Sequence, residues 1–343
     1  MNKNEIIRWL RTEDELKLEE LWKKADTTRK EHVGNAVHLR GLIEASNYCV
    51  RSCKYCGLNV TNTVVIRYRM TSDEIFACAT EATKYGYGTV VIQAGEDLGI
   101  KADWLADIVK KIKQNTPLAV TLSMGERDQD ELRSWRNAGA DRYLLRFETS
   151  DMSLYRSIHP AKNSNQHDRI EILKMLRNMG YEIGSGVMIG IPGQTFDTLA
   201  DDIILFNELD LDMIGVGPFI AHPNTPLGKN RTSVSLANQV PNTEIMVYKV
   251  VALARLVCPK ANIPSTTALA TINTESGREK GLMRGANVVM PNVTPTKYRK
   301  LYEIYPGKAC INETALRCSS CLENRIKNIG RHIGNGPGSR MRN

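Results

Sequence analysis

Three cysteines stand within eight residues, Cys49-Val50-Arg51-Ser52-Cys53-Lys54-Tyr55-Cys56, spaced C-x3-C-x2-C. Three thiolates can ligate three irons of a 4Fe–4S cube and leave the fourth without a protein ligand. A full four-cysteine set suits electron transfer, whereas an open iron suits a reaction at that iron. The other reading of clustered thiols is zinc, but structural zinc takes four ligands and pairs two short cysteine motifs. The triad fits the open-iron cluster better. Arg51 and Lys54 lie between the ligands, where they can balance the cluster's negative charge. Tyr55 can pack over a bound adenine or simply shield the cluster.

A second group, Cys310-x7-Cys318-x2-Cys321, lies near the C-terminus. It suits a second iron–sulfur cluster, or zinc completed by a water or a histidine. Cys78 and Cys258 stand alone in apolar helical contexts and read as small buried hydrophobes. Eight cysteines in 343 residues are too few for a disulfide scaffold. Clustered as they are, they point to metal binding in a reducing compartment.

The elements that must position these groups alternate along the chain. Strand patterns at 37–44, 89–93, 119–122, 142–146, 186–189, 213–216, 263–267 and 288–290 are separated by helical patterns at 71–83, 102–114, 129–137, 168–179, 195–209, 243–258 and 277–284. Such alternation predicts a parallel sheet. Its count predicts an α/β fold of the complete (β/α)8 TIM-barrel type, whose active site lies at the carboxyl ends of the strands. The cysteine stretch, Gln93–Asp97, Ser123–Glu126, Glu148 and Pro192–Gln194 all fall at such ends. Residues 1–35 read as an N-terminal helical extension, with a capping box at Thr12 and Glu15. Residues 36–306 read as the barrel, and 307–343 as a short cysteine-bearing segment. Arg142 opens an apolar strand; pointed inward, it would need an anionic partner.

Hydrophobic content is 42% and charged content 24%, as in ordinary globular proteins. No apolar run reaches the 18 residues of a membrane span, and the N-terminus is mixed in charge, so a cytoplasmic protein with no membrane partner is expected. The net charge is +8. Charge without a recognition motif is a weak sign of nucleic acid, and no such partner is expected.

C-x3-C-x2-C after a first strand resembles the signature of the radical S-adenosylmethionine (SAM) superfamily. Further strings resemble the group of HydE-type FeFe-hydrogenase maturases, biotin synthase-like proteins and methylornithine synthase, and the HydE type best. Among them are Arg67-Tyr68-Arg69-Met70-Thr71, Gln93-Ala94-Gly95-Glu96-Asp97, Arg146-Phe147-Glu148-Thr149, Pro264-Ser265-Thr266-Thr267-Ala268 and Tyr302-Glu303-Ile304-Tyr305-Pro306-Gly307-Lys308. The resemblance implies a 4Fe–4S cluster on Cys49, Cys53 and Cys56, with SAM on the open iron. SAM would be cleaved reductively to methionine and a 5′-deoxyadenosyl radical. Glu148 and Arg169 would hold the two charged ends of its methionine, and Gln93, Ser123 and Tyr55 its adenosyl part. Thr121, Arg142, Thr266, Thr267, Met290, Tyr302 and Tyr305 would line the substrate cavity, with Tyr302 and Arg142 as catalytic candidates. Cys310, Cys318 and Cys321 would carry an accessory cluster.

The implied substrate is a small organometallic iron–cysteine complex bearing carbonyl and cyanide. The implied partners are a reductant such as flavodoxin or ferredoxin and the other hydrogenase maturases. A HydE-like enzyme rearranging an amino acid, and a non-catalytic iron–sulfur carrier, are the competing readings. Ala94 stands where the family motif has serine, and Phe147 where it has histidine, leaving room for a different substrate.

Overall fold

The computed structural model describes residues 1–160, 168–229, 238–313 and 315–342, the side chains of 315–320 lying outside that description. Parallel strands β1 (Ala36–Ser46), β2 (Thr89–Ala94), β3 (Ala119–Ser123), β4 (Arg142–Leu144) and β5 (Glu182–Ser185) pair in sequence order. Two short strands, β6 (Met188–Ile189) and β8 (Gly217–Pro218), pair with each other, and β7 (Met213–Ile214) pairs with β5. On its other side β1 is flanked by β9 (Val288–Val289) and β10 (His332–Ile333). The strands form a parallel half-barrel wrapped by helices.

The complete eight-stranded barrel expected from the alternation is not met by ladder pairing. The seventh strand, expected at 263–267, contributes only two single-residue parallel bridges, Met213 to Asn262 and Pro264 to Val288. The cause is local. Pro264 has no N–H to donate to a ladder, and Thr266 already caps the next helix, Thr267–Ile272. The fifth strand also begins earlier than expected, at Glu182. The helices Met152–Ile158 and Thr267–Ile272 carry no strong periodic signal and were not expected.

The N-terminal extension is two helices, Lys3–Arg11 and Glu15–Val33. Thr12 does not cap the second one. Its hydroxyl donates back to Arg8 O at 2.8 Å, closing the first helix, and Asp14 caps the second through Leu16 N and Lys17 N. A capping box does form at Thr71 and Glu74, where it starts the helix Ser72–Lys84. Trp22 packs edge-on to Tyr248, 6.5 Å between ring centroids, fixing the extension to the helix Glu244–Val257.

The C-terminal segment returns to the amino-terminal end of the strands. After β10 it crosses beneath the sheet, where Pro337 O accepts from Thr89 Oγ1 (3.0 Å) and Arg142 Nη2 (3.2 Å). The basic residues of 331–342 serve the fold. Arg331 donates to four backbone carbonyls, those of Asn35, Ala36, Leu282 and Ala286, and Arg340 and Arg342 pair with Asp210 and Asp212. Among the described residues no helix is long and apolar enough to cross a membrane.

Candidate active site

The cysteine loop leaves the carboxyl end of β1 and is held from several sides. Asn47 Nδ2 donates to Ile66 O and Leu301 O, both at 2.8 Å. Arg67 donates to the carbonyls of Asn47, Leu58 and Asn59. Val50 N reaches Glu96 O (3.0 Å), Lys54 N reaches Ile158 O (2.8 Å), and Gly57 N reaches Ile304 O (3.0 Å). Gly95, just past β2, permits the approach: a Cβ there would stand 2.2 Å from Tyr48 O.

Burial raises all three thiol pKa values, that of Cys56 to about 12, and neighbouring thiolates of the triad raise those of Cys53 and Cys56 further. To act as thiolate ligands such buried groups need a strong local cation, and cluster iron would supply one. No three of the described His, Cys, Asp or Glu side chains converge on a single-ion position. The C-x3-C-x2-C spacing supplies three thiolates, one short of the four ligands of a structural zinc site. The donor set therefore fits an open-iron cluster.

Beside the loop lies a buried charge network. Arg51 Nε donates to Glu96 Oε1 at 2.6 Å and its Nη2 to Glu126. Its charge is thus spent on two carboxylates and not kept for the cluster. Arg169 opens the helix Arg169–Asn178 and donates through Nε to Glu126 Oε1 (2.9 Å) and through Nη1 to Arg146 O (2.7 Å). Its Nη2 lies 2.8 Å from His159 Nε2. A guanidinium can only donate, so Nε2 accepts and the imidazole is neutral. Burial, then the nearby Arg169 and Arg51, hold the His159 pKa down at about 2. Three of the five N–H groups of Arg169 are thereby engaged, leaving two for a ligand.

Glu148 is buried and stands four residues beyond β4, in a single parallel bridge to Val187. Its Oε2 is 3.0 Å from Arg146 Nη2 but makes no hydrogen bond; the contact is one of charge alone, and the oxygen keeps its acceptor capacity. Burial raises the Glu148 pKa, against the pull of Arg146 and Arg169. Arg146 donates to Val187 O at 2.6 Å, while its buried Nε has no partner. Tyr55 packs on a small apolar cluster of Leu154, Ile158, Met188, Ile191 and Phe219.

The remaining expected residues divide between the two ends of the half-barrel. Gln93 Nε2 donates to Tyr302 OH at 3.1 Å, and Ser123 stands opposite Gln93 in register on β3. Tyr302 is buried beneath Lys308, whose ammonium pairs with the buried Glu44. Tyr305 is tied to Thr271, Thr266 caps its helix through Leu269 N, and Thr267 O accepts from Thr271 Oγ1. Met290 is half-buried just beyond β9, and Thr121 is buried on β3 with its hydroxyl unpartnered.

Arg142 is the exception to the expected grouping. It does have an anionic partner, Glu182, at 2.6 Å. Its other contacts, Thr89 Oγ1 (3.0 Å), Pro337 O (3.2 Å) and Ser339 Oγ (2.8 Å), lie at the strand starts. Thr89 and Gln93 are four residues apart on β2, about 13 Å at a strand's rise. Arg142 is therefore a floor residue, and the catalytic expectation for it is not met.

Arg146 and His159 were missed as site residues, and Glu96 and Glu126, expected at the mouth, were given no role there. The available signal was position: all but His159 fall at strand ends. Gly190, at the end of β6, has φ +81°. Its tight neighbour is Asn242 Cα, which a Cβ would meet at 2.5 Å. Ala94 and Phe147, the two departures from the family motif, belong to the main apolar core, and Phe147 packs on Phe206 at 5.9 Å.

At the C-terminal group, Arg278 Nη2 lies 3.5 Å from Cys310 Sγ, and Cys310 and Cys321 both act on the charge of Arg325. The side chain of Cys318 lies outside the described residues.

Residues 43–206 match the model of the radical SAM superfamily. The chain is 45% identical to the [FeFe] hydrogenase maturase subunit HydE of Thermotoga maritima over 324 residues, 94% of this chain and 89% of that one. It is 27% identical to 3-methylornithine synthase of Methanosarcina acetivorans, over 84% of this chain and 79% of that one. Among solved structures, methylornithine synthase (PylB) superposes with a TM-score of 0.79 at 23% identity, covering 97% and 94% of the two chains. The maturase HydG of Carboxydothermus hydrogenoformans superposes at 0.78 and 17% identity, covering 96% and 75%. These two likenesses speak to the fold. With three clustered cysteines at a strand end and close identity to HydE along most of its length, the chain belongs to the HydE family of the radical SAM superfamily and is a SAM-cleaving enzyme.

Proposed function

We propose that this enzyme is a hydrogenase maturase of the HydE type, acting on a small iron–cysteine complex bearing carbonyl and cyanide during assembly of the di-iron site. The observation that carries the reading is the pair of unspent groups beside the thiols, Glu148 Oε2 and Arg146 Nε, both buried and both without a hydrogen-bond partner. A zwitterionic or anionic ligand would satisfy them. Buried polar groups left unpaired cost free energy, so these two atoms favour such a ligand.

Cys49, Cys53 and Cys56 would hold the 4Fe–4S cluster, which supplies the electron for reductive cleavage of SAM. Glu148 would accept from the ammonium end of the methionine. The two remaining N–H groups of Arg169 would take its carboxylate. Tyr55 and its apolar neighbours would receive the adenosyl part, with Gln93 and Ser123 at its polar edge. Arg146 would hold an anionic group of the substrate, within a cavity bounded by Thr121, Thr266, Thr267, Met290, Tyr302 and Tyr305. Because Tyr302 OH accepts from Gln93, its own proton is left to donate to a bound molecule.

We read the bridges at Asn262 and Pro264 as closing the half-barrel into a barrel. Enclosure would exclude water and fix the reacting atoms in place. Cys310, Cys318 and Cys321 would hold a second iron–sulfur cluster, with Arg278 and Arg325 as its cations. The reductant would be a flavodoxin or ferredoxin. That Ala94 and Phe147 face the apolar core supports an unchanged substrate, since neither departure alters the lining of the site.

The test is in vitro maturation of an FeFe-hydrogenase with this protein in place of an established HydE. Hydrogenase activation is expected. Formation of 5′-deoxyadenosine without activation would contradict the assigned substrate.

A further inference from the structure

We propose that Asp202 is a positioning residue for Glu148: it clamps a strained turn that aims the Glu148 carboxylate into the mouth. The inference rests on the reading that Glu148 receives the ammonium of SAM.

Glu148 has φ +65°, in the left-handed region that a glutamate seldom occupies. Thr149 N donates to Phe147 O at 2.8 Å, closing a three-residue ring with Glu148 at its centre. This is a γ-turn of the positive-φ form, which is rare and strained. A residue in such a state persists only where its surroundings over-determine it.

Two sets of contacts do so. On the sheet side, Glu148 N donates to Gly186 O (3.0 Å), and Met188 N donates to Glu148 O (3.2 Å). On the other side is the helix Phe196–Glu208. Ser150 donates to Asp202 Oδ1 through both its N (2.5 Å) and its Oγ (2.6 Å), with Thr149 Oγ1 at 3.4 Å. Four residues on, Phe206 packs against Phe147. Residues four apart share a helix face, so one face grips the chain on both flanks of Glu148.

Asp202 bears a cost in this arrangement. It is fully buried, its Oδ2 has no hydrogen-bond partner, and burial pushes its pKa up to about 7. A buried carboxyl with one oxygen unpaired is unfavourable for stability. The turn it secures accounts for its presence. Released from Ser150, the turn can relax to ordinary dihedrals and swing the Glu148 carboxylate out of the mouth.

The experiment measures SAM affinity on the anaerobically reconstituted full chain, with cluster content and melting temperature checked for each variant. Asp202→Ala should weaken SAM binding about tenfold, equivalent to ~1.4 kcal/mol. Asp202→Asn keeps the accepting oxygen and should stay within about threefold of the parent. In a Glu148→Gln background, Asp202→Ala should cost nothing further, because the clamp acts only through Glu148. A purely structural role would instead give losses that multiply, and that result would overturn the proposal. So would unchanged affinity in cluster-loaded Asp202→Ala. Should Asp202→Ala fail to fold, Ser150→Ala removes one of the two strong donors, and about a threefold loss is expected, absent in the Glu148→Gln background; unchanged affinity there is equally fatal. If Glu148→Gln alone leaves SAM affinity unchanged, the Glu148 reading fails and the clamp with it; if Glu148→Gln weakens binding but Asp202→Ala does not, only the clamp fails.

Discussion

Arg142 and Arg146 stand four residues apart at and just beyond β4, yet they do different work. Arg142 is fully buried, and its guanidinium meets a carboxylate, two hydroxyls and a carbonyl. Arg146 has one carbonyl acceptor, a charge contact with Glu148 and a buried Nε with no partner. The first is saturated and holds the floor together. The second is under-used and sits at the mouth. Arginine as a residue type does not report function; the capacity left over after the fold has satisfied it does.

The comparison can be broken by mutation. Arg142→Met leaves Glu182 without its cation and should lower unfolding stability by roughly 3 kcal/mol, read as a shift in denaturation midpoint. The folded fraction should cleave SAM at the parent rate. Arg146→Met should do the reverse. Stability should stay within about 1 kcal/mol, while turnover of the maturation substrate falls tenfold or more, roughly the worth of one charge-assisted hydrogen bond. Equal effects of the two variants on turnover would erase the distinction between floor and mouth.

A pH series sharpens the same contrast from the side of the charge network. The His159 pKa is about 2 in the folded chain against an ordinary 6.5. Below pH 6.5 the unfolded chain binds a proton that the folded chain refuses, so stability falls as pH drops from about 6.5 towards 2. The slope from this one group is about 1.4 kcal/mol per pH unit. His159→Gln keeps an acceptor for Arg169 and removes the titration. The variant should lose less stability than the parent between pH 6.5 and 4.5, measured by denaturant unfolding. The smallest effect is expected of Ala94→Ser, which restores the family residue. Stability should change by less than about 1 kcal/mol, with SAM affinity unaltered.

Much of the mouth was legible in the sequence because its signals are local. The spacing of Cys49, Cys53 and Cys56 announces the open iron within eight residues. Glu148 and Gln93 fall at strand ends and carry family motifs. The floor was not legible, because Arg142 finds its partners 40 to 197 residues away in sequence, and no local pattern shows which end of a strand a long side chain reaches.

The seventh strand was misread for a physical reason already visible in the chain: Pro264 breaks the β-branched stretch from Ile263 to Thr267. Phe147 shows the opposite error. Its identity looked like a functional departure until the register was known. Beyond β4 the chain turns its ring onto Phe206 in the core, while Arg146 and Glu148 on either side of it pair with each other by charge.

The central claim is that three thiols at the end of β1 hold a cluster that cleaves SAM. The direct measurement is anaerobic reconstitution with iron and sulfide, followed by dithionite and SAM, with products separated by chromatography. The parent should form 5′-deoxyadenosine and methionine, and Cys56→Ala should form neither. A parent with its cluster content confirmed that yields no 5′-deoxyadenosine would contradict the account and leave an iron–sulfur carrier in its place.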